Sequence, residues 1–432
     1  MSKNHEQANF SSKMFIYKNI FLRKNNQNAK FKFLKNENKI FQKFNQAREI
    51  MLYSKKFRFV FCLGLLLQLT GNLKTENVEL KAEVQQKINN GIPQWMQKQI
   101  SEDLFRCTKS GITKDMIIDT LKQDPMCVLF TIKNGKIDVE YNSQIPRDYL
   151  GGIGVMSEVL NELNNYLALP DVEFIYSVDD CPSNREELQS FKQHVNHNKY
   201  RAPVFGPCKH RDDINVVLVP GYQIFLSIRN NVIGEIATGN ALYTWASKKN
   251  VAFWRGTTTG SFYRMHNFEE MPRVKLAKLS IDFPKLIDAK FNYFWEVDEE
   301  TRNKLVELNF LGNTLPVTEH IQYKYQILID GNSASWPRSY WQYQCNSVVF
   351  KQNLPYIVWH QDLFKPWIHY IPFDHDCNDL VITIERAMNN DFEAQKIAQA
   401  ANSLAQECLK HSDLLVYFYA AITEYAKLQA GD

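Results

Sequence analysis

Between residues 172 and 359, seven short runs rich in Val, Ile and Phe alternate with stretches of helical periodicity. The runs are Val172–Val178, Ile214–Val219, Val251–Trp254, Leu286–Phe291, Tyr325–Ile329, Ser347–Phe350 and Tyr356–Trp359. Apolar strands separated by helices read as parallel sheets covered on both faces. Seven of them suit two Rossmann-like sheets better than one, so the expected fold class is α/β, with two lobes and a cleft. Upstream, Leu129–Lys133 and Lys136–Glu140 flank Asn134-Gly135, a strong hairpin signal. Thr113 can cap a helix over Lys114–Leu121, and Val155, Val159, Leu163 and Leu167 recur at a spacing of four. From Leu380 to Lys427 the pattern is helical.

In open α/β sheets ligands bind beyond the carboxyl ends of the strands, so the residues after each run carry the functional reading. The first run ends in Val178-Asp179-Asp180-Cys181-Pro182. A carboxylate at a strand end, fixed by a Pro turn, suits a general base, and an Asx turn is the plainer alternative. Val251–Trp254 opens into Arg255-Gly256-Thr257-Thr258-Thr259-Gly260, where small residues admit close backbone approach and Arg255 adds charge. It is neither a Walker A loop nor G-x-G-x-x-G. Tyr323-Lys324-Tyr325 leads through Asp330-Gly331-Asn332 to Ser335-Trp336-Pro337-Arg338, a second small-residue turn with one Arg. Two such turns can clamp a diphosphate between guanidinium groups without a metal.

Charge and cysteine usage narrow the remaining classes. Residues 1–60 hold 14 Lys+Arg against 3 Glu, while the rest holds 37 basic and 44 acidic residues. The body is mildly acidic, and no nucleic-acid partner is expected. Residues 1–75 read as a basic, poorly ordered leader containing the apolar run Phe59–Leu69. That run is short of the roughly 20 residues of a membrane span, and it suits a signal-type segment or a membrane-surface association. Two metal-like patterns are set against the diphosphate reading. Asp374-His375-Asp376 has the spacing that metal-dependent sugar transferases use, but it lies in an acidic loop away from an evident strand end. Cys208-Lys209-His210 and His194-x-x-His197 lack a four-ligand pattern. The 8 Cys show no paired spacing and read as free thiols of a reducing compartment.

Phe253-Trp-Arg-Gly-Thr-Thr-Thr-Gly260 resembles the "FRG-(T/S)-T" turn of glycosyltransferase family 90. This family comprises Rumi-type protein O-glucosyltransferases, fungal capsule-associated xylosyltransferases and bacterial lipopolysaccharide-modifying proteins. The resemblance continues in Tyr323-Lys-Tyr325, Asp330-Gly-Asn332, Ser335-Trp-Pro-Arg338, Asn346–Lys351 and Phe364–Pro372. Upstream it takes in Ile100–Leu104 and Gly111–Thr113, so it spans roughly residues 95–425.

The resemblance implies a GT-B fold, with an acceptor-side lobe over 76–240 and a donor lobe with the terminal helices over 241–432. It implies an inverting transfer from a UDP-sugar (glucose or xylose type) to a hydroxyl acceptor. Asp180 matches the family's general base, with Asp179 beside it as a rival. Arg255, Gly256, Thr257, Ser335 and Arg338 match the donor-holding positions. Arg273, in Arg273-Val-Lys-Leu276, matches a further phosphate ligand, with Arg264 as competitor. No cofactor or metal is expected.

The animal enzymes of the family work in the secretory lumen and are stapled by disulfides. Here Cys345 keeps one family position, and Ile321-Gln322 stands where its partner is expected. The thiols therefore favour a bacterial-type branch, cytoplasmic or on the inner membrane face, acting on lipopolysaccharide or another glycan. A protein acceptor in a secretory lumen, with the apolar run as signal, is the alternative. A non-catalytic sugar-binding relative and a metal-dependent transferase built on Asp374 and Asp376 are the other readings.

Overall fold

The computed structural model describes residues 78–182 and 200–429. The leader and its apolar run lie outside the described residues, as do His194 and His197. After helices over 78–89, Gln94–Leu104 and Lys114–Gln123, the first sheet begins with β1 (Cys127–Lys133) and β2 (Lys136–Tyr141). They form the expected antiparallel hairpin, with Lys133 opposite Lys136. Its turn has positive φ at both Asn134 (50°) and Gly135 (72°), the handedness that matches strand twist. The helix Arg147–Tyr166 then leads to β3 (Val172–Ser177), β4 (Val204–Gly206), β5 (Lys209–His210) and β6 (Val216–Leu218).

The order in the first sheet is β2-β1-β3-β4-β6. β3, β4 and β6 are parallel, whereas β1 runs antiparallel to both its neighbours. The sheet is therefore mixed, and the all-parallel expectation fails at the hairpin edge. The exposed residues of β2 fit an edge strand with one face in water.

The second sheet contains β7 (Lys249–Thr257), β8 (Ile287–Tyr293), β9 (Tyr323–Leu328), β10 (Val348–Gln352) and β12 (Ile371–Phe373). All its pairings are parallel, in the order β12-β10-β9-β7-β8. The chain thus lays its second strand on one side of its first and its third on the other, the doubly wound 2-1-3-4-5 order. Together the two sheets give the α/β, GT-B-type architecture expected. The run at Tyr356 contributes only β11 (Tyr356–Ile357), which pairs with β5 outside both sheets.

The helical tail is three helices, Leu380–Asn389, Asp391–Cys408 and His411–Leu428. The last is apolar on nearly every side, with Leu414, Leu415, Tyr417, Phe418, Ile422 and Tyr425 buried, so it must be enclosed. It is enclosed by the first sheet: Tyr425 and Phe418 lie 5.3 and 6.1 Å from Phe205, and Ile112 N donates to Leu428 O (2.7 Å). Each such buried ring contributes roughly 1.5–3 kcal/mol. The last described helix therefore packs against the first sheet.

Candidate active site

The topology dictates where a ligand can lie. Successive connections leave β7 and β9 towards opposite sides, so their carboxyl ends diverge into a crevice at the switch point. β7 ends in Arg255-Gly256-Thr257, and β9 runs into Ile329–Arg338. The two turns touch through glycines. Gly260 adopts φ +105°, and a Cβ there would sit 3.3 Å from Gly331 O. A Cβ on Gly331 would meet Thr259 Oγ1 at 2.4 Å and Arg273 Nη2 at 2.7 Å, so no larger residue fits. Around this junction opens a cleft of about 390 Å³. Gly256, Thr257, Thr259, Arg273, Ser335 and Arg338 line it from the second sheet, and Asp180 and Gln223 from the first.

Of the guanidinium groups named from the sequence, two reach this cleft. Arg273 is placed by Pro272, whose fixed φ starts the helix Pro272–Asp282. Its Nε donates to Asp330 O (3.0 Å), Nη1 to Thr257 O (2.8 Å) and Nη2 to Ile329 O (3.3 Å). It therefore staples the ends of β7 and β9 together. Arg338 donates Nη2 to Arg255 O (2.6 Å), while its Nη1 is buried with no hydrogen-bond partner among the described residues. Burial and the neighbouring Arg273 charge push Arg338 down to about 10. Two cations side by side with an unused N–H are an arrangement that an anion relieves.

Arg255 is a correction. Its guanidinium lies outside the cleft, paired with Asp288 (2.8 Å) and stacked 4.4 Å over Phe253. The strand pleat sends Arg255 and Gly256 to opposite faces, so only the glycine lines the cleft. Arg264 is exposed, lying 4.4 Å over the Phe262 ring, and between the two competitors Arg273 alone reaches the cleft. Ser335 lies at the wall, its hydroxyl bonded to Ile329 O (2.8 Å) and its N–H to Asp330 Oδ1 (2.9 Å).

Asp180 enters from the other side, just beyond β3. Asp179 Oδ1 accepts the N–H of the next residue, Asp180 (2.8 Å), one residue short of the Asx turn that was the plainer alternative. Tyr200 donates its hydroxyl to Pro182 O (2.7 Å) and anchors the end of the turn. The result separates the two acids: Asp179 supports the turn and Asp180 faces the cleft. Burial raises the Asp180 carboxyl above its usual range, opposed by a hydrogen bond from Asn332 and by the Arg273 charge. A carboxylate that keeps some affinity for a proton is what a general base needs.

Four cleft residues escaped the sequence reading as functional groups, Asn332, Gln223, Asn292 and Trp341, as did Glu296, which lies outside the cleft lining. Asn332 stands in a turn already singled out, and Gln223 follows the Pro220-Gly221 turn after β6, so position beyond a strand was an available signal for both. Glu296 gave none. The metal-like patterns lie elsewhere. Asp374 directly follows β12, a strand end after all, but that strand is two places from the switch point. Asp376 is held by Asn378 of its own loop. Among the described residues no group of three or more His, Cys, Asp or Glu could hold a metal ion. The seven described cysteines are free thiols, as read from the sequence, and all but Cys408 are buried.

In doubly wound sheets ligands bind at the switch point, and here that position carries two guanidinium groups. Residues 89–432 match the family model described as Glycosyl transferase family 90, and the chain belongs to that family of transferases. It is 29% identical over 342 residues to Protein O-glucosyltransferase 2 of Danio rerio, covering 77% of this chain and 62% of that protein. It is 29% identical over 281 residues to Protein O-glucosyltransferase 3 of Homo sapiens, covering 63% of this chain and 50% of that protein. The chain thus spans between half and just under two-thirds of these relatives. Among solved structures, that of TarM aligns with a TM-score of 0.32 at 12% identity, covering 54% of this chain and 52% of that one.

These relatives overturn the expected location. The cytoplasmic or inner-membrane assignment rested on a bacterial-type branch inferred from unpaired thiols, whereas the relatives are vertebrate protein O-glucosyltransferases. The described cysteines are free thiols, so the error lay in inferring the branch and its compartment from them. Among the described residues no helix is long and apolar enough to cross a membrane.

Proposed function

We propose that the chain is an inverting glycosyltransferase that moves a glucose-type sugar from a UDP-sugar to a hydroxyl group of a protein. The relatives' names favour a protein acceptor over lipopolysaccharide. The observation that carries the donor site is the unpartnered Nη1 of Arg338, buried beside Arg273 at the switch point. A diphosphate between them would satisfy that donor and offset the repulsion of the two cations. The turn of Gly256 and Thr257 lets backbone approach the same anion, and Ser335 borders it. Arg255 acts from behind, its carbonyl orienting Arg338.

In the reaction, Asp180 takes the proton of the acceptor hydroxyl as that oxygen bonds to the anomeric carbon. The bond from that carbon to the diphosphate oxygen breaks on the opposite face, and UDP leaves with the electron pair. Charge then grows on the diphosphate, where Arg273 and Arg338 already point, a preorganised stabilisation that needs no rearrangement. Asp180→Asn should abolish transfer while leaving UDP affinity within about twofold, read by calorimetry. An Asp180→Asn enzyme that still transfers sugar would sink the assignment.

A further inference from the structure

Asn292 occupies an irregular place at the carboxyl end of β8. Gly256 of β7 stands opposite Phe291, but the next residue, Thr257, stands opposite Tyr293. Asn292 is therefore the extra residue of a bulge, beside the Gly256–Thr257 step. A bulge releases one residue from the ladder and re-aims its side chain, and bulges gather next to active sites. Asn292 lines the cleft together with Gly256 and Thr257. Its Oδ1 is buried and has no hydrogen-bond partner among the described residues. A buried carbonyl left unmatched is costly, so a partner is expected when the cleft is filled. The terminal torsion of Asn is broad, and with no bond holding Oδ1 the amide is free to turn it towards a ligand.

Arg338 and Asn292 both line the cleft, and each carries a buried polar atom without a partner among the described residues. Their senses are opposite. Arg338 Nη1 donates, and a diphosphate answers it. Asn292 Oδ1 only accepts, and the diphosphate of a nucleotide sugar, ionised on both phosphates, has no proton to offer it. A ligand that satisfies both atoms must carry a neutral O–H or N–H as well as its anion. We infer that Asn292 is a recognition residue for the donor, its carbonyl accepting a hydroxyl of the hexose or ribose or the imide N–H of uracil. This rests on the reading of the cleft as the UDP-sugar site. The bulge serves it by setting the amide beside the Gly256–Thr257 turn, so that anion and neutral donor group are read from adjacent positions of two strands.

The test is calorimetric titration of the full chain with UDP-glucose, UDP and inorganic pyrophosphate, which has neither sugar nor base. In Asn292→Leu the affinity for UDP-glucose should fall about tenfold, the scale of one hydrogen bond, while pyrophosphate binds as it does to the parent. The urea midpoint of this variant should be no lower than the parent's, since an apolar group replaces an unmatched carbonyl. Asn292→Ala should show the same pattern of affinities, and it covers the case in which leucine does not fit the bulge. A fall shared by UDP places the partner group in the nucleoside, and a fall confined to UDP-glucose places it in the hexose. UDP-glucose affinity unmoved in both variants would overturn the inference and leave a water as the partner of Oδ1. An equal loss of pyrophosphate binding would also overturn it, as general damage to the cleft. Unmoved Asn292 variants beside an Arg338→Ala variant that loses UDP would condemn this inference alone, whereas a parent chain that binds no UDP-glucose would condemn the reading beneath it.

Discussion

Arg338→Ala separates a binding residue from a structural one. Among the described residues Arg338 makes one hydrogen bond, to Arg255 O, and it stands 5.8 Å over Trp341. Losing a bond of this kind costs about 1–3 kcal/mol, because the bound group is charged. Against that, the variant relieves a buried N–H with no partner and the repulsion with Arg273. Each of these is also on the scale of about 1–3 kcal/mol. Truncating this buried side chain also forfeits its packing, about 2 kcal/mol or more, which cancels the surplus, so the folding stability of Arg338→Ala should stay within about 1 kcal/mol of the parent, read by urea denaturation. Binding has no such compensation. A charge-assisted bond to a diphosphate is worth about 1.5–3 kcal/mol, so UDP affinity should fall roughly 10- to 150-fold by calorimetry. Arg273, with three backbone carbonyls as partners, is the contrast: its loss should cost fold and binding together. If Arg338→Ala binds UDP as tightly as the parent, the anion site is misplaced. If it unfolds as readily as Arg273→Ala, the argument from the unused N–H fails.

Other consequences are as direct. Gly331→Ala drives a Cβ to 2.4 Å from Thr259 Oγ1 and 2.7 Å from Arg273, so it should lose about 1–3 kcal/mol of stability and weaken UDP binding, both read on one purified sample. Burial holds the His320 imidazole down at about 3, well below its unfolded value of about 6.5. The unfolded chain then binds the extra proton, so the stability due to a neutral His320 is whole above pH 6.5 and is lost as pH falls towards 3, with a slope of up to about 1.4 kcal/mol per unit. His320→Gln should flatten the change in urea midpoint between pH 7.5 and 5.5, and an equal change in both proteins would exonerate the imidazole. Because the two guanidinium groups supply the positive charge, EDTA should leave UDP binding and UDP-glucose turnover intact, as should Asp376→Ala, while a chelator-sensitive rate would move weight to the loop after β12.

What could be read in the sequence was whatever the chain states locally. Val251–Trp254 running into Arg-Gly-Thr, and Tyr325–Ile329 running into Asp-Gly-Asn, announce strands with permissive ends, because β-branched runs and glycines act on their own neighbours. The same holds for Asn134-Gly135, whose turn needs only its own two dihedral angles. Failures came where meaning depends on a distant partner. Arg255 reads as a phosphate ligand until the pleat turns it towards Asp288 of the next strand. β4 and β12 are three residues each, too short for periodicity, and exist because a neighbouring strand pairs with them.

Sheet order explains why the two donor-side turns could be joined from the sequence, while for the carboxylate only the residue and not its surroundings could be read. The switch point makes neighbours of the turns after β7 and β9, so two motifs recognised separately become one cleft without further information. Asp180 arrives from another sheet, and its environment is assembled from four chain segments with no common spacing. Glu296 is the extreme case: its left-handed φ, held by Tyr263 N donating to its carbonyl, is a tertiary fact. A residue that is costly locally and satisfied only globally is where sequence logic should fail.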